Sequence, residues 1–150
     1  MKLETFSIAL LITVLFISCR LKEPVDTKSL TEADLYYSAL SAVKGRNVAF
    51  LALFDSAGVM LGPHHTPIEG HAALTKLLLS HTDTTYMLTW NPSFAKVAQS
   101  GELGYTYGIY KLTDRKTKKL LDEGTYTTFW QKNTKGVWKA VLDTGNEGLK

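Results

Sequence analysis

The period of the hydrophobic pattern changes halfway along the chain, and that change limits the fold more than any other feature. Up to about residue 81 apolar residues recur at helical spacing, and from Tyr86 they alternate as in strands. Ser29 and Glu32 have capping-box spacing. The residues that follow, Ala33, Tyr36, Tyr37, Leu40 and Val43, predict an amphipathic helix that Gly45 can end. "RNVAFLALF" predicts a second, shorter helix, and His71 to His81 a third that packs through Leu74, Leu77 and Leu78. Between them "DSAGVMLGPHHTPIEG" holds turn formers around a short strand, Val59 to Leu61. "TYMLTW" then leads to a break or bulge at Asn91-Pro92 and a turn at Ser100-Gly101-Glu102. Three longer strands follow, at Leu103 to Leu112, Leu120 to Gln131 and Val137 to Thr144. Helices first and an antiparallel meander second is an α+β order.

One strand adds a second constraint. In "GYTYGIY" Gly104, Thr106, Gly108 and Tyr110 share one face, and Tyr105, Tyr107 and Ile109 the other. Glycine weakens a strand interior unless the strand bends sharply or another backbone comes close. Curved sheets use glycine kinks for that purpose. The pattern therefore predicts a strongly curved sheet wrapped around three helices, with a hollow between the layers. The plainer alternative is that Gly104 and Gly108 relieve crowding by neighbouring aromatics.

Residues 1–18 stand apart from this domain. Lys2 precedes an uncharged run from Phe6 to Ile17, and Ser18 precedes Cys19. A basic start, a short apolar run and a small residue make a secretory signal peptide, too short to span a bilayer comfortably. Residues 19–28 are polar, contain Pro24 and read as a tether, which leaves 29–150 as the domain. Cys19 is the only cysteine, so no disulfide forms within the chain and stability rests on packing. A chain of this length can bury roughly two thirds of its unfolded surface in one core. Much of the net charge of +3 sits in "DRKTKK", residues 114–119, which reads as a solvated hairpin loop. Nucleic acid is not expected as a partner, because binding it needs a broader basic footprint and a recognisable module.

Two resemblances sharpen this reading. "FISC" resembles the lipobox of bacterial lipoprotein signal peptides, which implies cleavage before Cys19, a diacylated Cys19 thiol and attachment to a bilayer of the cell envelope. The ordered set "AFLALFDSAGVMLG", "PIEGHAAL", "LTWNPSFAKVAQSGELGYTYGIY", "GTYTTFWQK" and "GVWKAVLDTGN" resembles the SnoaL-like and ketosteroid-isomerase-like part of the nuclear-transport-factor-2-like superfamily. That resemblance covers about residues 30–146. It implies a cone-like domain with a deep pocket, often a homodimer through the outer face of the sheet. The superfamily includes isomerases, dehydratases, cyclases and noncatalytic binding or assembly domains, so fold alone does not assign an activity.

The residues offer a limited set of chemistry. Enolisation needs a base beside the acidic carbon and a donor at the developing oxyanion. Asp143, near the end of the last strand, is a candidate base, and a hollow beside it would raise its pKa by desolvation. Strict alternation puts Asp143 with Val141, opposite Ala140 and Leu142. Its structural alternative is a cap on the turn at Thr144 and Gly145. His64 or His65 at the pocket mouth, with Asp55 as orienting acid, could complete a catalytic set; both histidines could equally be loop residues. Tyr105 and Tyr107 are candidate donors to a ligand, and Trp90 and Trp130 candidate walls; all four could instead be packing aromatics. "HHTPIEGH" matches no zinc motif, and His71 and His81 fall on different helix faces, so no metal is expected. No cofactor is expected either, since the glycines lack the spacing and context of a phosphate loop. The absence of GxSxG and of a spare thiol removes two nucleophile classes. Three functions remain: an envelope domain holding a small apolar or amphipathic ligand, an acid/base isomerase, dehydratase or cyclase, and a dimerisation or protein-interaction module.

Overall fold

The computed structural model describes residues 25–63 and 66–149. The signal peptide, Cys19, most of the tether, His64 and His65 lie outside the described residues. Three helices, α1 (Thr27–Lys44), α2 (Arg46–Leu53) and α3 (Gly70–Leu79), pack on one six-stranded sheet. Its strands are β1 (Phe54–Leu61), β2 (Ile68–Glu69), β3 (Tyr86–Val97), β4 (Leu103–Asp114), β5 (Leu120–Lys132) and β6 (Trp138–Asn146). They lie in the order β2-β1-β6-β5-β4-β3, and all pairs are antiparallel except β1 with β6. The expected α+β architecture, three helices on a curved sheet, is the one observed. The short strand expected at Val59 is longer, because Phe54 pairs with Ala140 and carries the strand back to the end of α2.

Helix α1 begins two residues earlier than Ser29. The Asp26 side chain accepts from the Ser29 amide at 2.9 Å and caps the helix, and Glu32 pairs with Lys28 instead of closing a capping box. Its buried face is also different from the expected stripe: Leu30, Asp34, Tyr37, Ser38 and Ser41 turn inward, whereas Tyr36 and Val43 are 62% and 75% exposed. Two of those serines have a structural use. Strand β3 lies at the border of the sheet, and alternate carbonyls along it point outward. Arg115 Nε donates to the Tyr86 carbonyl, Ser41 Oγ to Leu88 and Ser38 Oγ to Trp90. Arg115, expected in a solvated loop, thus holds the start of the border strand. Buried backbone groups that lack a sheet neighbour need such partners.

The core between the layers joins Leu30 and Tyr37 of α1, Leu53, Leu74 and Leu78 of the other helices, and Val97, Trp130, Trp138 and Ala140 of the sheet. The glycines fall on this inner face. Gly108 lies opposite Pro92, beside a bulge between Pro92 and Phe94, and a Cβ there would collide with the Asn91 carbonyl. A Cβ on Gly104 would stand 2.7 Å from Leu30 of α1. Each inner glycine also faces a bulky neighbour across the ladder: Gly104 faces Trp130, Gly108 faces Tyr126, and Gly124 faces Tyr110. Bending and relief of crowding therefore operate together.

Candidate functional site

A cavity of about 490 Å³ opens between the helices and the inner face of the sheet. Its walls are mostly apolar, with Phe50 and Leu53 from α2, Leu77 and Leu78 from α3, Met60 from β1, and Leu88 and Trp90 from β3. Exposed Pro63, His81, Thr82 and Glu147 mark its mouth. This volume lies in the range of sites for small organic molecules. Three adjacent strands bring polar groups to it, Tyr110 from β4, Tyr126 and Thr128 from β5, and Asp143 and Thr144 from β6, and Arg46 of α2 and Tyr86 of β3 line it as well.

Asp143 reaches the cavity through an irregularity in β6. Phe129 pairs with Leu142 but the next residue, Trp130, pairs with Ala140, so Val141 is an extra residue in the ladder. A bulge of this kind resets the alternation. Asp143 thus joins Ala140 on the inner face, correcting the face that strict alternation assigns. Thr128 lies directly opposite Asp143, and its hydroxyl donates to Asp143 Oδ2 at 2.6 Å. Burial pushes the Asp143 carboxyl up to about 6; the Thr128 hydrogen bond opposes that shift, and the nearby Asp34 charge adds to it.

Asp34, on the buried face of α1, is fully enclosed. Trp90 Nε1 donates to its Oδ1 at 2.6 Å and the Tyr126 hydroxyl to its Oδ2 at 2.8 Å. Desolvation raises its pKa, and the hydrogen bonds from Tyr126, Thr106 and Trp90 act in the opposite direction. This carboxylate fixes two of the aromatic walls from behind. Trp90 stands edge-on to Phe50 and to Tyr126, with ring centroids 6.0 and 6.4 Å apart. Tyr110 donates to Asp122 at 2.7 Å, and burial followed by that bond raises its pKa, as burial and then the Asp34 charge raise that of Tyr126.

Of the residues singled out in the sequence, Asp143 and Trp90 meet in this cavity. Tyr105 and Tyr107 do not reach it. They lie on the outer face in a row with Phe94 and Phe129, Tyr107 being 45% exposed. Trp130 faces inward but is sealed in the core, stacked on Tyr37 and donating to Thr106 Oγ1 at 2.9 Å. Asp55 accepts from Ser56 and the Ala57 amide in β1, away from the cavity lining. Asp34, Tyr110, Tyr126 and Thr128 were not anticipated. Their sequence signal is an aspartate spaced with Leu30, Tyr37 and Ser41 on one helix face, and a Tyr-Thr pair alternating with Gly124 and Trp130 in β5. Among the described residues no group of three or more His, Cys, Asp or Glu is placed to hold a metal ion.

No family model matches the chain, and no curated protein matches it significantly. Solved structures do. A ketosteroid isomerase-like protein from Erwinia carotovora atroseptica superposes with a TM-score of 0.65 at 15% identity, covering 83% of this chain and 98% of that one. An NTF2-like protein with a cystatin-like fold from Novosphingobium aromaticivorans gives 0.66 at 16% identity, covering 80% of each. A nuclear transport factor 2-like superfamily protein from Salmonella enterica gives 0.59 at 15%, covering 83% of this chain and 92% of that one. Identities this low carry the fold and nothing finer, so the chain has the cone-like α+β fold of the NTF2-like and ketosteroid isomerase-like proteins.

Proposed function

We propose that this domain holds a small apolar or amphipathic molecule in its cavity, as an envelope protein anchored by lipid on Cys19. The cavity carries the reading: about 490 Å³ of mostly apolar space with a half-buried carboxylate, Asp143, in its wall. Rigid aromatic walls and few polar groups suit retention of an apolar body. Native mass spectrometry of protein purified without detergent tests it. The expected spectrum contains an adduct of roughly a few hundred daltons. A bare mass, together with no uptake of an apolar fluorescent probe, counts against it. Replacing Cys19 with serine is expected to release the protein from membranes; unchanged partitioning would sink the lipid anchor.

A second reading, acid/base isomerisation or dehydration, is favoured by one observation: Asp143 faces the cavity with its carboxyl pushed up to about 6. A base with that affinity suits proton abstraction near neutral pH. The reaction also needs a donor for the developing oxyanion, and Tyr110, Tyr126, Trp90 and Thr128 already donate to carboxylates. Exchange of the α-protons of a cyclic enone with deuterated water, abolished by Asp143→Asn, tests this reading. The outer aromatic row, Phe94, Tyr105, Tyr107 and Phe129, supports pairing of two copies through the sheet. Analytical ultracentrifugation of Tyr107→Lys against the unmodified protein would separate dimer from monomer.

A further inference from the structure

We propose that the cavity selects a hydrophobic amine in its ammonium form, and that Asp143 receives its positive end. This rests on the cavity reading above and goes further by naming the chemistry of the occupant. Every side-chain donor that Trp90, Tyr110, Tyr126 and Thr128 bring to the wall is spent on a carboxylate: Trp90 and Tyr126 on Asp34, Thr128 on Asp143, and Tyr110 on Asp122. What these groups leave for a ligand is acceptor capacity. Beside these four groups a ketone or ester carbonyl meets no unused donor, whereas an ammonium or hydroxyl finds a partner; Arg46, Tyr86 and Thr144, elsewhere in the lining, keep donors of their own.

That partner is one oxygen of Asp143. Among the described residues Thr128 is its only side-chain hydrogen-bond partner, and it occupies Oδ2. Among the described residues no buried side-chain polar atom is left without a partner, so the remaining oxygen, Oδ1, is accessible. Since Asp143 lines the cavity, the cavity is the route to it. An ammonium there gains a charge-assisted hydrogen bond. It also meets the rings of Trp90, Phe50 and Tyr126, which attract cations.

The surrounding charges agree. Asp34 from α1 does not line the cavity, but it lies close enough to Asp143 to raise its pKa, so a second carboxylate stands behind the wall near Asp143. Glu147, after β6, stands exposed at the mouth. Opposing them is Arg46 from α2, whose guanidinium donates to Asn47 Oδ1 from Nε and Nη2 and lies over the Tyr86 ring. His81, after α3, is at the mouth with Nδ1 against Ser80 and the Leu77 carbonyl. Lys139 of β6 does not line the cavity and donates to the Ala52 carbonyl. The wall at Asp143 is thus the negative side of the cavity.

Calorimetric titration of the full-length processed protein with naphthylethylamine, naphthylethanol and naphthylacetate tests the selection, because the three share one apolar body. At about pH 8 the amine is expected to bind roughly ten- to a hundredfold more tightly than the alcohol, and the acetate least. Asp143→Asn is expected to bring the amine to the level of the alcohol. In the unmodified protein the amine's advantage is expected to fade as pH drops through about 6, where Asp143 takes up its proton. Acetate binding as tightly as the amine, or an amine advantage that survives Asp143→Asn or does not fade on acidification, overturns the selection and leaves the cavity reading intact. Failure of all three compounds to bind overturns the cavity reading and the selection with it.

Discussion

Asp143→Asn is expected to make the folded protein more stable at neutral pH, because the native structure holds this carboxylate where its charge is disfavoured. The group moves from its ordinary 3.8 to about 6 on folding. Each pKa unit is about 1.4 kcal/mol, so keeping Asp143 ionised in the folded state costs about 3 kcal/mol before solvent contact is considered. Asp143 is only half-buried, and its solvent contact reduces that cost to about 2 kcal/mol. Asparagine keeps an acceptor for the Thr128 hydroxyl and carries no charge to desolvate. The sign follows from proton counting. Below about pH 4 both folded and unfolded Asp143 are protonated and the variant has no charge advantage. Between about pH 4 and pH 6 the unfolded chain ionises first, so the unmodified protein loses stability relative to the variant. Above about pH 7 both states are ionised and the gap is constant. Urea and thermal melts of both proteins across this range measure it. The expected gap at neutral pH, about 2 kcal/mol, is roughly 5–8 °C in melting temperature for a domain of this size. A gap that does not vary with pH, or a variant less stable at pH 8, would refute the claim that desolvation dominates at Asp143.

Three further substitutions, and Gly101→Ala as a control, probe the frame around the cavity. Asp34→Ala leaves the indole N–H of Trp90 and the hydroxyl of Tyr126 without their acceptor and is expected to cost about 2–5 kcal/mol in a urea titration. Gly108→Ala drives a methyl group into the Asn91 carbonyl at the β3 bulge and is expected to cost at least about 2 kcal/mol, whereas Gly101→Ala, in open space but at φ 82°, is expected to cost less. Asp83→Ala removes the carboxylate that accepts from the Asn47 amide at 2.8 Å and caps α2 from the loop before β3; about 1 kcal/mol is expected in thermal melts.

Much of the architecture was legible in the residues because hydrophobic period follows backbone geometry. The helix-to-strand change, the end of α1 at Gly45 and the bulge near Pro92 all follow from local chemistry. What escaped depends on contacts between distant segments. The two faces of β4 could be separated, yet nothing local said which one turned inward. The tyrosine face looked like the ligand face because it is aromatic. The inward face is the one with glycine and Thr106, since α1 approaches there and Trp130 needs a hydroxyl to receive its N–H. Asp143 drew notice for its chemistry, but alternation assigned its neighbours wrongly because the extra residue at Val141 is visible only in the pairing with β5. Asp34 escaped because an aspartate on a helix usually reads as surface, and its partners, Trp90 and Tyr126, lie far along the chain.

The three side chains that cap the outward carbonyls of β3 have a consequence for how this protein meets others. An open twelve-residue border would be a template on which another chain could extend the sheet, the first step towards fibrous aggregates. With Arg115, Ser41 and Ser38 occupying those acceptors, that end of β3 offers an incoming strand little to grip. This small set of hydroxyls and one guanidinium thus closes edge-on addition of a strand along that stretch while leaving broad-side contact through the sheet open.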